Sequence, residues 1–133
     1  MRVFSLKLQR RFSDLDLLGH VNNVVYGDYL QEARVMMLAE LGEASFANFS
    51  QVLARQEIDY RKPLAYRVEP ITIDLWITGI GNTSYTFGAQ VRDDDDSVAA
   101  DAAGVMVCFD TSTGRSRPIP DEFRAALKAS LES

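Results

Sequence analysis

The densest group of side chains able to do chemistry is Arg11-Phe12-Ser13-Asp14-Leu15-Asp16-Leu17-Leu18-Gly19-His20-Val21-Asn22-Asn23-Val24-Val25-Tyr26. It sets two carboxylates close to the chain's one imidazole. A carboxylate here could act as a general base on water, or attack an electrophilic carbon directly. If a helix starts just beyond, its free N–H groups and positive dipole end could polarise a carbonyl or hold a developing oxyanion. The same residues also admit a plainer role, with Asp14 and Asp16 as loop and capping residues and His20 as a hydrogen-bonded structural group. On spacing alone the plainer role is the stronger, because Asp and Asn are common caps.

The flanking segments say what would position this loop. Before it, residues 3–12 alternate as a strand, with Phe4, Leu6 and Leu8 on one side. After it, Tyr26, Tyr29, Leu30, Ala33, Met37 and Leu41 recur at helical spacing and make one apolar stripe over a helix at about 23–41. Asn22 or Asn23 suits its N-cap and Gly42 a left-handed C-cap, while Gly27 suggests close approach to another backbone. A shorter helix is expected around Phe46–Arg55. The period then becomes two. Ile58 and Tyr60, then Leu64 and Tyr66, flank Pro63 as at a bulge or an edge. Ile71–Ile77 and Tyr85–Val91 alternate, with turn residues at Gly79–Thr83 and Asp93–Ser97. Val98–Asp110 is nearly continuous in small and apolar residues, as in a strand covered on both faces. Thr111–Arg117, Pro118 and Pro120 lead to a closing helix near Asp121–Leu131. The layout is one strand, one long helix and four strands in antiparallel succession, an α+β arrangement in which the sheet buries the helix. No repeat or linker divides it, so one domain over 1–133 is expected.

Composition narrows the function. The 133 residues are 47% hydrophobic and 25% charged, which is ordinary for a globular chain. A net charge of −5 argues against nucleic acid as a partner. The single cysteine, Cys108, excludes an intrachain disulfide and a multi-Cys metal site, and its apolar run favours a buried thiol. The charge-broken N-terminus lacks a signal-peptide core, and no apolar run approaches the ~20 residues of a membrane span. A cytoplasmic protein is expected. One histidine excludes a metal site of several imidazoles, although carboxylates alone could bind an ion. The acidic run Asp93–Asp96 lacks the rest of a calcium loop and reads as a solvated hairpin turn. No serine sits in a nucleophile-elbow pattern.

The run at 14–26, continued by Tyr29-Leu30-Gln31-Glu32-Ala33-Arg34, resembles the hot-dog thioesterases of the 4-hydroxybenzoyl-CoA thioesterase type. The likeness extends to Asp59-Tyr60-Arg61-Lys62-Pro63-Leu64 and Pro118-Ile119-Pro120, and so covers essentially the whole chain. The resemblance implies an antiparallel sheet wrapped around one long central helix. It implies hydrolysis of an acyl-CoA to free acid and CoA, with Asp16 as catalytic nucleophile or base and backbone N–H groups at a helix start on the thioester oxygen. It makes His20, Asn22, Asn23 and Tyr26 candidates for orienting Asp16, water or substrate; capping and core hydrogen bonding remain equal alternatives for these four. CoA phosphates need cationic partners, for which Arg61 and Lys62 are the first candidates and Arg67, Arg115 and Arg117 further ones. No metal or redox cofactor is implied, CoA entering only with the substrate. A homodimer or homotetramer with sites at its interface is implied as well. Two alternatives stay open: a thioesterase for acyl carrier protein, and a non-catalytic acyl-CoA binding protein.

Overall fold

The computed structural model describes residues 1–42 and 50–133. Its elements are β1 (Phe4–Leu8), a 3-10 turn (Phe12–Asp14), α1 (Val25–Leu41), β2 (Gln51–Tyr60), β3 (Ile71–Ile80), β4 (Ser84–Arg92), β5 (Val98–Asp110), β6 (Arg115–Ser116) and α2 (Asp121–Glu132). The sheet is antiparallel in the order β1-β3-β4-β5-β2, with the short β6 added to β5.

One face of the sheet is the apolar one the alternation predicts. Register places Leu75 beside Ala89 and Ala102, Ile73 beside Val91 and Ala100, and Ile77 beside Phe87 and Gly104. Helix α1 buries Tyr26, Tyr29, Leu30, Ala33 and Met37, and packs over β3 and β1. Gly104 is needed for this packing. A Cβ there would stand 2.4 Å from the Phe87 ring and 2.8 Å from the Arg55 carbonyl oxygen.

Several expectations are corrected. Only β3, β4 and β5 follow one another across the sheet, because β2 crosses to pair with β5 at the far edge. The expected helix at Phe46–Arg55 fails at its C-terminal half, where Gln51–Arg55 opens strand β2; residues 46–49 lie outside the described ones. Pairing with β5 overrides the helix-forming residues, and a bulge between Leu53 and Arg55 breaks the alternation that would have revealed a strand. Pro63 lies beyond the end of β2, in an irregular strap at 61–70. Neither Asn supplies the cap directly: Val24 is the N-cap residue, and the Asn22 side chain accepts its N–H at 3.1 Å. Gly42 follows the helix but at φ 138, ψ 129, outside the left-handed helical region. Among the described residues Gly27 meets no other backbone closely; a Cβ there would meet the Gln56 side chain at 3.7 Å. No helix among the described residues is long and apolar enough to cross a membrane.

Candidate active site

The two aspartates of the sequence motif have different surroundings. Asp14 is 3% exposed and ends the 3-10 turn after β1. Its Oδ2 accepts the Arg11 backbone N–H at 2.9 Å and the Tyr29 hydroxyl at 2.6 Å. Its Oδ1 accepts Arg11 Nε–H at 3.1 Å. Burial alone would raise its pKa, but the bonds from Tyr29 and Arg11 outweigh it and hold the carboxyl below its usual range. Burial, and then the bond to Asp14, lift the Tyr29 phenol above its usual range, so it stays a neutral donor. Asp14 also accepts the Asn22 N–H on its carbonyl, at 2.9 Å. The residue ties β1, the loop and α1 together.

Asp16 is exposed at the tip of the same loop. Leu15 and Val21 bridge to close a small hairpin, and the Asp16 N–H bonds to the His20 carbonyl at 2.9 Å. The Gly19 N–H returns to the Asp16 carbonyl at 3.1 Å, and Gly19 takes φ 77, which explains glycine at that corner. The Asp16 Oδ1 accepts the Leu18 N–H at 2.9 Å. That bond fixes one rotamer without burying the charge.

The loop stands against the 61–70 strap. His20 bridges to Ala65, and the Val21 N–H bonds to the Leu64 carbonyl at 2.8 Å. Arg10 anchors the strap from below. It is 1% exposed, and its guanidinium donates to the carbonyls of Ala65 and Glu69 and to the carboxylates of Asp93 and Asp94, at 2.8–2.9 Å. Lys62 and Arg67 pair with the same acidic turn. The run Asp93–Asp96 does form the β4–β5 turn, but Asp93 is buried and ion-paired, which corrects the solvated reading of the run.

Between loop, strap and helix lies a cleft of about 310 Å³, lined by Asp16, Leu18, His20, Val21, Asn23, Tyr26, Tyr60, Arg61, Lys62 and Pro63. Of the candidates named from the sequence it gathers Asp16, His20, Asn23, Tyr26, Arg61 and Lys62. Asn22, whose side chain turns back to cap Val24, and the further cation candidates Arg67, Arg115 and Arg117 do not line it. Tyr26 is buried, and burial, followed by the nearby Tyr60 and Asp93, pushes its pKa up to about 12. It therefore serves as a neutral phenol. Arg61 pairs with Asp101 at 2.8 Å, and Lys62 with Asp93 at 3.2 Å. Among the first N–H groups of the helix, those of Val24, Val25 and Gly27 already bond to Asn22 or Val24, so these three are not free to polarise a carbonyl. Sequence reasoning missed Tyr60 as a wall of the cleft. Its hydroxyl bonds to the Asn23 carbonyl at 3.0 Å, and its ring stands edge-on to Tyr26 at 5.0 Å. Its place beside Arg61 and Lys62 in the Asp59–Leu64 segment was the available signal. No three His, Cys, Asp or Glu side chains converge as a metal site among the described residues.

Fold and cleft define a class: an α+β hot-dog domain with an exposed carboxylate beside the central helix. Residues 10–127 match the thioesterase-like superfamily. The chain belongs to that family and is a thioester hydrolase. It is 28% identical to the long-chain acyl-CoA thioesterase FadM of Escherichia coli over 118 residues, covering 86% of this chain and 89% of that one. A thioesterase from Thermus thermophilus, solved with coenzyme A and Zn, superposes with a TM-score of 0.86 at 29% identity, covering 97% and 94% of the two chains. A predicted thioesterase from Bacillus stearothermophilus gives 0.88 at 30%, covering 97% and 96%.

Proposed function

We propose that the chain is a cytoplasmic acyl-CoA thioesterase in which the Asp16 carboxylate drives hydrolysis. The observation that supports this best is the cleft itself, which puts an unburied carboxylate, a histidine and two cations around one space. Asp16 attacks the thioester carbonyl carbon, or takes a proton from the water that attacks it. In the first route the C–S bond breaks to leave an acyl anhydride on Asp16, which water then hydrolyses; in the second the carbon that water has attacked expels the thiolate directly. Both routes release the acid, restore the Asp16 carboxylate and let the CoA sulfur leave with a proton. His20, Asn23 and Tyr26 orient water or the acyl carbonyl. Arg61 and Lys62 at the rim meet the CoA phosphates, exchanging Asp101 and Asp93 for stronger anions. No metal or redox group takes part.

The Asp16 side chain is exposed in one chain, whereas base and nucleophile chemistry gain from excluded water. A second copy would supply the cover. The edge strand β2 presents unpaired backbone with Val52, Leu53 and Tyr60 exposed, and such an edge invites pairing with its own copy. The expected homodimer forms there.

Free-thiol release from a panel of acyl-CoAs tests the function, with light scattering for the assembly. Turnover by a dimer or tetramer is expected. Tight acyl-CoA binding without thiol release would instead make the chain a binding protein, and turnover confined to acyl carrier protein thioesters would change the carrier.

A further inference from the structure

A second, larger cavity lies farther along the gap between α1 and β2. It measures about 480 Å³ and is lined by Val35, Leu38, Val52, Leu53, Met106 and Phe109, with Arg34 and Gln51 as its polar members of interest. Arg34 is 7% exposed. Its guanidinium donates to the Gln56 side-chain oxygen at 3.1 Å and lies 5.7 Å from the centre of the Phe87 ring. Among the described residues it pairs with no carboxylate. Gln51 lines the same cavity, and Tyr85 donates its hydroxyl to Gln51 Oε1. That bond orients the amide, and Gln51 Nε2 is buried with no partner among the described residues.

Among the described residues the groove has thus collected buried donors and no anion to match them. Arginine remains charged at any physiological pH, and a desolvated cation with only a neutral amide and a ring face for partners is unfavourable. The arrangement is complementary to one planar anion with two oxygens, which a guanidinium and an amide can share. The groove also lies where the far end of a substrate would reach. The cleft holding Asp16 is bounded by Asn23 and Tyr26 at the start of α1, and the groove by Arg34, Val35 and Leu38 farther along the same helix. Eight residues of helix from Tyr26 to Arg34 span about 12 Å. Register also turns Gln51, Leu53, Gln56, Ile58 and Tyr60 to one face of β2, of which Gln51 and Leu53 line the groove and Tyr60 lines the cleft.

Resting on the acyl thioester reading above, we propose that this groove recognises an acyl group whose far end carries a carboxylate, with Arg34 and Gln51 as the recognising side chains. The aliphatic part of the chain lies along Val35, Leu38, Leu53 and Met106. Arg34 is a specificity residue and takes no part in the chemistry at Asp16.

The test compares decanoyl-CoA with its chain-matched ω-carboxy counterpart, the monothioester of sebacic acid. The parent protein is expected to favour the ω-carboxy substrate in kcat/KM by at least about tenfold, and Arg34→Gln to bring the ratio close to one. Binding is read separately from thermal shifts with monomethyl sebacate and methyl decanoate, which differ only in the charged end. The parent should be stabilised more by the sebacate, and Arg34→Gln should lose the difference. A parent that hydrolyses both thioesters alike, or prefers decanoyl-CoA, overturns the proposal whatever the variant does; that is also the result if a second copy's carboxylate already occupies Arg34. If neither thioester is hydrolysed the enzymatic reading fails, and the thermal shifts alone then decide the groove: equal shifts overturn it and a larger shift with the sebacate sustains it.

Discussion

Two regions separated by a single residue, the buttress ending at Asp14 and the tip beginning at Asp16, show how differently one loop can hold two carboxylates. In the buttress every charge has an assigned partner: Asp14 with Arg11 and Tyr29, and Arg10 with Asp93 and Asp94. At the tip, Asp16 holds one backbone N–H and is otherwise open to the cleft. Burial and saturation make a carboxylate a fixed anion. Exposure with a fixed rotamer leaves one free to accept a proton or form a bond. The cost of holding the loop falls on the buttress, so the tip need not contribute to stability.

Substitutions in the buttress should therefore cost stability, and the largest loss is expected at Arg10. Arg10→Met leaves Asp93 buried without its main cation and should destabilise by about 3–5 kcal/mol, read from urea midpoints. A loss under about 1 kcal/mol, as for an exposed ion pair, would break the comparison at its strongest point. Asp14→Asn keeps the shape but gives up the charge that three donors address, and should cost about 1–3 kcal/mol.

A pH series sharpens the same contrast. The folded pKa of Asp14 lies below its unfolded value of 3.8. Its contribution is therefore complete above that value and is lost as pH falls through the folded one. Between about pH 5 and pH 2.5 the parent should lose more stability than Asp14→Asn. Parallel losses would show that the charge is not held by the fold. The smallest effect is expected at the rim. Arg61→Ala should raise KM for acyl-CoA several-fold and leave a short acyl-pantetheine thioester nearly unaffected, because only the former carries nucleotide phosphates. Equal changes on both substrates would remove Arg61 from phosphate binding.

Much of this organisation was legible in the sequence. The Tyr26–Met37 stripe, the alternation at 71–77 and 85–91, and the turn at Asp93–Ser97 each carry a local period or turn chemistry that survives folding. Strand β2 was illegible at its start because Gln51–Arg55 is rich in helix formers and its bulge disrupts the period. Strand order was equally hidden, since alternation reports which face a residue takes and not which strand lies beside it. Within the motif, the roles of the two aspartates depend on Tyr29 and on burial, which spacing does not encode. Arg34 entered the reading only within the run at 29–34 and drew no role, because helical spacing does not report that a charged position four residues after Leu30 is buried.

The central claim, that Asp16 and not Asp14 does the chemistry, is tested most directly by Asp16→Asn and Asp14→Asn measured side by side. Each needs a thermal melt, an acyl-CoA binding isotherm and single-turnover hydrolysis scaled to folded protein. Asp16→Asn should melt and bind as the parent does, with hydrolysis slowed by at least ~10²-fold. Asp14→Asn should melt earlier yet hydrolyse near the parent rate per folded molecule. An Asp16→Asn protein that folds, binds and turns over at the parent rate would contradict the account.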